Sequence, residues 1–195
     1  GGAVATITFG YFPNLPVMGI WQRDINDINF EPTIFFDTTY AYIFVGGAFQ
    51  QVAGDPIWNG TDKDFFWSTN YRGITPDIKL FFVTNFISNA ANPMRYFDGS
   101  TWTDFAPLVD ANHNLWSALI LIPYYGRLVA LNVYEGTTAG GAAGAVNIQN
   151  RCRFSQIGDP TQVDAWREAA KRMGELPWAI WNTTRTRQTQ NRSGL

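Results

Sequence analysis

Short apolar runs, each cut off by a turn residue, dominate the first 158 residues, and three of them recur at nearly constant spacing. Ile34-Phe35-Phe36-Asp37-Thr38, Leu80-Phe81-Phe82-Val83-Thr84 and Leu128-Val129-Ala130-Leu131-Asn132 share one shape, an apolar run closing on a small polar residue. Phe36 and Phe82 are 46 residues apart, and Phe82 and Val129 are 47 apart. Each run is followed by a second strand-like run and a turn, at 41–47, 95–99 and 153–158. A four- to eight-residue run bounded by Gly, Pro, Asn or Asp predicts a short antiparallel strand. A period in the forties with several strands per unit predicts blade-like sheets stacked on one another. The fold class expected is all-β: antiparallel β-propeller-like blades, in a partial or composite propeller, with a short C-terminal helix and a basic tail.

Other predicted strands lie at 40–45, 64–71, 94–97, 101–105, 116–122, 127–134 and 150–154. Asp98-Gly99, between two of them, is a hairpin signal, because both residues tolerate the positive φ that tight hairpin turns need. The small, uncharged stretch 136–145 reads as a flexible loop. Propellers close with four to eight blades, and three repeats fall short of that. The expectation is therefore a chain with open sheet margins that is not stable alone.

From Asp159 the pattern changes. Asp159 is a fair helix N-cap and Pro160 suits the first helical position, while Val163, Trp166, Ala170 and Met173 recur at helical spacing before Gly174. This divides the chain into blades over 1–158 and a helix plus basic tail over 159–195. Residues 1–150 carry 6 Lys and Arg against 12 Asp and Glu, whereas residues 151–195 carry 8 against 4. A near-neutral total thus combines an acidic body with a basic end, whose Arg185, Arg187 and Arg192 are candidates for docking a partner.

Residue counts narrow the chemistry. One cysteine, Cys152, permits no internal disulfide, and one histidine, His113, leaves little for metal or triad chemistry. His113 lies in the polar turn 110–114 with no nucleophile motif beside it. Cys152 lies between Arg151 and Arg153, but alternation along a strand turns it away from both. The pairs Asp24/Asp27 and Asp62/Asp64 lack the six or so oxygens of a calcium loop. No catalytic residue, cofactor or metal is expected. Charged residues are only 15% of the chain, low for a soluble domain, as befits a surface covered by partners. No apolar run approaches the roughly 20 residues that cross a bilayer. The first residue is Gly1, with no basic stretch after it, and the expectation is a processed product or a fragment.

The segments FEPTIFFDTTYAYIF (30–44), WNGTDKDFFWSTNYRG (58–73), LFFVTN (80–85), YFDGSTWTDF (96–105), RLVAL (127–131) and NRCRFSQIGDP (150–160) occur in order, followed by Trp166. This series resembles the β-propeller structural proteins of tailed bacteriophages, found in tail hubs, nozzles and neck plugs that hold packaged DNA. The resemblance spans about residues 30–166, and its most specific part joins "TN…DG.TW" to "R.RFS..GDP…W". It implies a virion protein of the tail or neck without enzymatic activity, in a homo-oligomeric ring with other virion proteins. It also implies passive contact with packaged DNA and no membrane. Asp98, Gly99, Trp102, Gly158, Asp159 and Trp166 would be its structural turns and hub. An acidic body fits a channel wall that repels phosphate. The alternative expectation is a carbohydrate-binding or sialidase-like propeller, in which Trp58, Trp67 and Trp102 stack on sugars. Residues 98–102 are similar to an Asp-box, with Asp and Gly adjacent instead of one residue apart.

Overall fold

The computed structural model describes residues 16–24, 32–52, 58–74, 77–85 and 92–167. They form three antiparallel sheets that follow one another along the chain. The first holds β1 (Gly19–Gln22), β2 (Thr33–Phe36), β3 (Ala41–Val45) and β4 (Ala48–Gln51). The central sheet holds β5 (Phe66–Arg72), β6 (Lys79–Asn85), β7 (Met94–Phe97) and β8 (Trp102–Phe105). The third holds β9 (His113–Tyr124), β10 (Arg127–Thr137) and β11 (Val146–Phe154). Each sheet is a meander whose spatial order is its chain order. Phe36, Phe82 and Val129 fall on β2, β6 and β10, the second strand of each sheet. The 46–47-residue period therefore marks one sheet per repeat.

Tight turns make the meanders. Gly46 and Gly47, at φ of 63° and 85°, join β3 to β4, and Tyr125 and Gly126, at 45° and 71°, join β9 to β10. Two positive φ angles in a two-residue loop are the requirement of a type I′ turn. Gly126 is further constrained, since a Cβ there would lie 2.8 Å from Ile74 Cγ1. Gly99 takes φ of 106° between β7 and β8.

The sheets stack face to face, with β1 against β5 and β5 against β9. These first strands run in the same direction. Gly19 faces Phe66, and further along Asn70 Nδ2 donates to the Gln22 carbonyl at 2.9 Å. Likewise Trp67 Nε1 donates to the Leu121 carbonyl at 2.8 Å, and Tyr71 reaches Gly126. One core fills the space between the first and central sheets, with Ile34, Phe36, Trp58, Phe66, Phe81, Val83 and Phe97. A second lies between the central and third sheets, with Tyr71, Leu80, Phe82, Met94, Leu115, Leu121, Leu128 and Trp166. Strand β6 is therefore covered on both sides, Phe81 and Val83 facing one core and Leu80 and Phe82 the other.

Several expectations change here. Strands β1 and β4 are additions to the predicted set, since four-residue strands with two Gly or Gln positions each do not stand out in the sequence. Strands β9, β10 and β11 extend beyond their predicted limits. The stretch 136–145, expected as a loop, begins with the last two residues of β10 and continues as two short 3-10 turns at Thr138–Gly140 and Ala142–Gly144. Thr137 Oγ1 accepts the Gly140 amide at 3.1 Å, Thr138 N donates to the Asn112 carbonyl at 2.8 Å, and a Cβ on Gly136 would sit 2.8 Å from the Ala145 backbone. Residues 159–166, the start of the expected C-terminal helix, form consecutive turns with i→i−3 bonds, and helix begins only at Arg167, the last described residue. Val163, assigned to its apolar face, is 71% exposed. Its other members, Ala170, Met173 and Gly174, lie outside the described residues, as do Arg185, Arg187 and Arg192.

Candidate functional site

Two groups of the sequence-predicted turn residues lie on different cores. In the first, Asp98 accepts the amides of Ser100 and Thr101, each at 2.8 Å, and both hydroxyls as well. The Thr101 backbone hydrogen bond leads these donors in holding the Asp98 carboxyl down at about 2. Trp102 follows, its ring 5.2 Å from Phe97 and 6.4 Å from Phe81, packed against the core shared with the first sheet. Asp98, Gly99 and Trp102 thus form one hairpin closure.

The second group is a clamp over the third sheet. Gly158 takes φ of 111°, and its amide donates to the Gly126 carbonyl at 2.9 Å. Tyr71, from the central sheet, shares its one hydroxyl proton between the carbonyls of Gly126, at 2.7 Å, and Gly158. Burial, then the nearby Asp159 charge, pushes the Tyr71 phenol up to about 12, so the hydroxyl stays a donor through the neutral range. Asp159 Oδ1 accepts the Thr161 amide at 2.8 Å and hydroxyl at 2.6 Å. Trp166 Nε1 donates to the Pro160 carbonyl at 2.9 Å, and its ring, 1% exposed, lies 6.0 Å from Phe105 of β8. Residues 158–166 therefore belong to the packed body.

Sequence reasoning missed a buried ion cluster on β10 and β11. Glu135 is 5% exposed and takes Arg153 Nε at 2.6 Å, Arg153 Nη2 at 2.7 Å and Arg151 Nη1 at 2.6 Å. Burial raises the Glu135 pKa, and the hydrogen bonds and charges of Arg153 and Arg151 outweigh it, holding the carboxyl below its usual range. The i, i+2 spacing of the two arginines was the available signal. It places both on one face of the strand, with Cys152 on the other. Cys152, which alternation was expected to turn inward, instead lies half-buried in the outward row with Ile120 and Leu131, and burial raises its thiol pKa.

The chemistry offered elsewhere is sparse. His113 Nδ1 lies 2.9 and 3.0 Å from the two Asp110 carboxylate oxygens on the exposed surface. No group of three or more His, Cys, Asp or Glu suited to a metal occurs among the described residues. Asp24 pairs with Arg72 at 2.8 Å, Asp64 closes the turn at Thr61, and Asp27 lies outside the described residues. A groove of about 420 Å³ runs between β8 and residues 161–163, with Asp104 its one carboxylate. Asp159 and Asp164 line a smaller one of about 280 Å³, where the turn engages Asp159 and Arg167 pairs with Asp164 at 3.1 Å. The three tryptophans assigned to sugars share no open platform. Trp58 is 1% exposed beneath the Arg95 guanidinium, 3.9 Å from its ring. Trp67 is tied to Leu121, and Trp102 packs on Phe97.

Among the described residues, the outward faces of the two flanking sheets carry apolar rows. On the first sheet Ile20 stands opposite Phe35, which stands opposite Tyr42, and Phe44 stands opposite Phe49; Ile20 is 56% and Phe44 37% exposed. On the third sheet Ile122, Val129 and Phe154 form one cross-strand row, and Ile120, Leu131 and Cys152 another. Ile122 is 39% exposed and the other five are partly so. Large exposed apolar patches on a soluble protein mark interaction surfaces.

No protein-family model, curated protein or solved structure matches the chain.

Proposed function

We propose that the chain is a non-enzymatic structural protein of a tailed-phage virion, in the tail or neck, whose three sheets are blades of a propeller-type ring around the DNA channel. One observation carries the reading. Three successive meanders, one per 46–47-residue repeat, stack face to face with their first strands parallel, and the middle one is buried on both sides. Blades of a propeller relate to one another in this way. The resemblance over residues 30–166 supplies the viral context, and the clamp of Gly158, Asp159 and Trp166 supplies a structural use for the "GDP…W" part of that pattern.

The geometry changes the expected role of charge. In a propeller the first strand of each blade lines the channel, and β1, β5 and β9 carry no Asp or Glu. The exposed carboxylates Asp24, Asp62, Asp77, Asp98 and Asp110 lie in turns, and Asp104 lies on the last strand of the central sheet. The one Arg or Lys on these strands, Arg72 of β5, is paired with Asp24 at 2.8 Å, so DNA would pass the wall with few cationic contacts to hold it instead of through repulsion. The sugar-binding alternative gains no support from the buried Trp58 or from a groove with one carboxylate, since glycoside hydrolysis uses two.

Peptide mass spectrometry of particles purified by density gradient tests the reading. Peptides of this chain are expected at a fixed ratio to the other tail and neck proteins and should survive stringent washing. Their absence from intact particles would refute it.

A further inference from the structure

The two ends of the stack differ. At the end where β9 turns into β10, the large apolar side chains of Ile74, Tyr124, Tyr125 and Ile157 lie open, each between 53% and 81% exposed. The strand directions bring them together, because Ile74 follows β5, the tyrosines close β9 and Ile157 follows β11. Gly126 lets the isoleucines close over the turn, since a Cβ there would lie 2.8 Å from Ile74 and 3.4 Å from Ile157. The two tyrosine rings meet edge-on, with centroids 4.6 Å apart. Tyr125 holds φ of 45°, in the left-handed region that Gly, Asn and Asp occupy more readily. The backbone beneath it is fixed, because the Gly126 carbonyl takes both the Tyr71 hydroxyl at 2.7 Å and the Gly158 amide at 2.9 Å. An exposed aromatic side chain on a strained, immobilised turn is placed for a contact that costs little further ordering. At the opposite end the exposed apolar residues Val17, Phe65 and Val146 stand at or just before the starts of β1, β5 and β11, on three different sheets, among the exposed Asp62, Lys63, Asp110 and His113.

We infer that the tyrosine end is a docking surface for a second copy of this chain, the two joined end to end about a two-fold axis. Area is the first support. The four side chains expose on the order of 500 Å² together, the size of the largest and often functional apolar patch of a monomer. Burying that patch on both copies removes about 1,000 Å², where a contact becomes specific and its strength micromolar. Polarity selects the arrangement. Set on its own copy the patch meets apolar surface, whereas head-to-tail stacking would set it against Asp62, Lys63 and Asp110. The exposed carboxylates of the tyrosine end, Asp77 and Asp98, lie in turns of the central sheet and fall at the rim of a contact centred on Tyr125. An isologous contact uses one patch twice and closes at two copies. The inference depends neither on how many sheets a ring contains nor on where the chain sits in a virion.

Sedimentation equilibrium of the purified 195-residue chain, from about 1 to 500 μM, decides the matter. The expected result is a monomer–dimer equilibrium between 21.9 kDa and twice that mass. A monomer throughout, or a series extending beyond the dimer, would overturn the inference while leaving the particle experiment free to uphold the virion reading. Ile157→Asp, which sets two carboxylates in the contact, should weaken association at least about 100-fold. Tyr125→Asn should weaken it about 10-fold or more and raise the melting temperature of the monomer, because asparagine suits the positive φ of the turn. Val163→Asp, exposed in the groove beside β8, should dimerise as the parent does. Loss of the dimer in that variant, or its persistence in Ile157→Asp, would place the contact elsewhere and refute the inference. Circular dichroism of all three variants should match that of the parent.

Discussion

The central sheet and its two neighbours are made from the same kind of strand, yet among the described residues only the central one is packed between two other sheets. In β6 every residue from Leu80 to Asn85 is buried. The second strands of the flanking sheets, β2 and β10, bury Ile34 and Phe36, and Leu128 and Ala130, on the inward side. Their outward positions are also apolar, Phe35 on one and Val129 and Leu131 on the other. A strand with one face in water normally alternates apolar and polar residues, whereas one covered twice reads as a continuous apolar run. All three second strands read as covered twice. Among the described residues, the difference between the sheets therefore lies in which sheets flank them and not in their sequence.

The largest break in this comparison should come from β6. Phe82→Ala is expected to cost about 3–5 kcal/mol in chemical denaturation, since it empties a closed core. Ile122→Ala, at a position 39% exposed, should cost under about 1 kcal/mol; similar losses at both sites would show that the third sheet is covered as fully as the central one. Next comes Glu135→Ala, which strands the Arg153 guanidinium in a half-closed site. It should cost about 3 kcal/mol, against a near-neutral double variant that also replaces Arg151 and Arg153 with Met.

A smaller effect, about 1–2 kcal/mol, is expected for Tyr71→Phe. It leaves the Gly158 carbonyl without its hydroxyl donor and should speed amide exchange at Gly158 more than on β2. The smallest belongs to the hairpin of the central sheet. The Asp98 carboxyl titrates at about 2 when folded, against 3.8 for an unperturbed aspartate. Its contribution is therefore complete above about pH 4 and is lost as pH falls towards 2. Asp98→Asn should cost about 1 kcal/mol or less at pH 7 and flatten the pH dependence of stability between pH 4 and 2.

Much of this architecture was legible in the residues. The Gly46-Gly47 and Asp98-Gly99 turns stand where positive φ was needed, β2 and β7 occupy the expected positions, and the period of 46–47 gave the sheet boundaries. Less legible was whatever depends on partners distant in the chain. The polar strand β4 exists because β3 pairs with it, and Glu135 is held by arginines 16 and 18 residues later. Residues 159–166 form turns before Arg167, and these turns bring Trp166 to the core beside Phe105. The outward faces could be read as apolar, but only stacking order tells which side of each strand meets the next sheet.

Three side chains of the central sheet, Trp67, Tyr71 and Thr84, end on backbone carbonyls of Leu121, Gly126 with Gly158, and Ala118. They are spread along the length of the contact, so a pull parallel to the strands strains all of them at once, and none can be peeled off ahead of the others. An apolar seam alone would let one layer slip past the next with little resistance; these pegs turn the pair of layers into a laminate that carries shear.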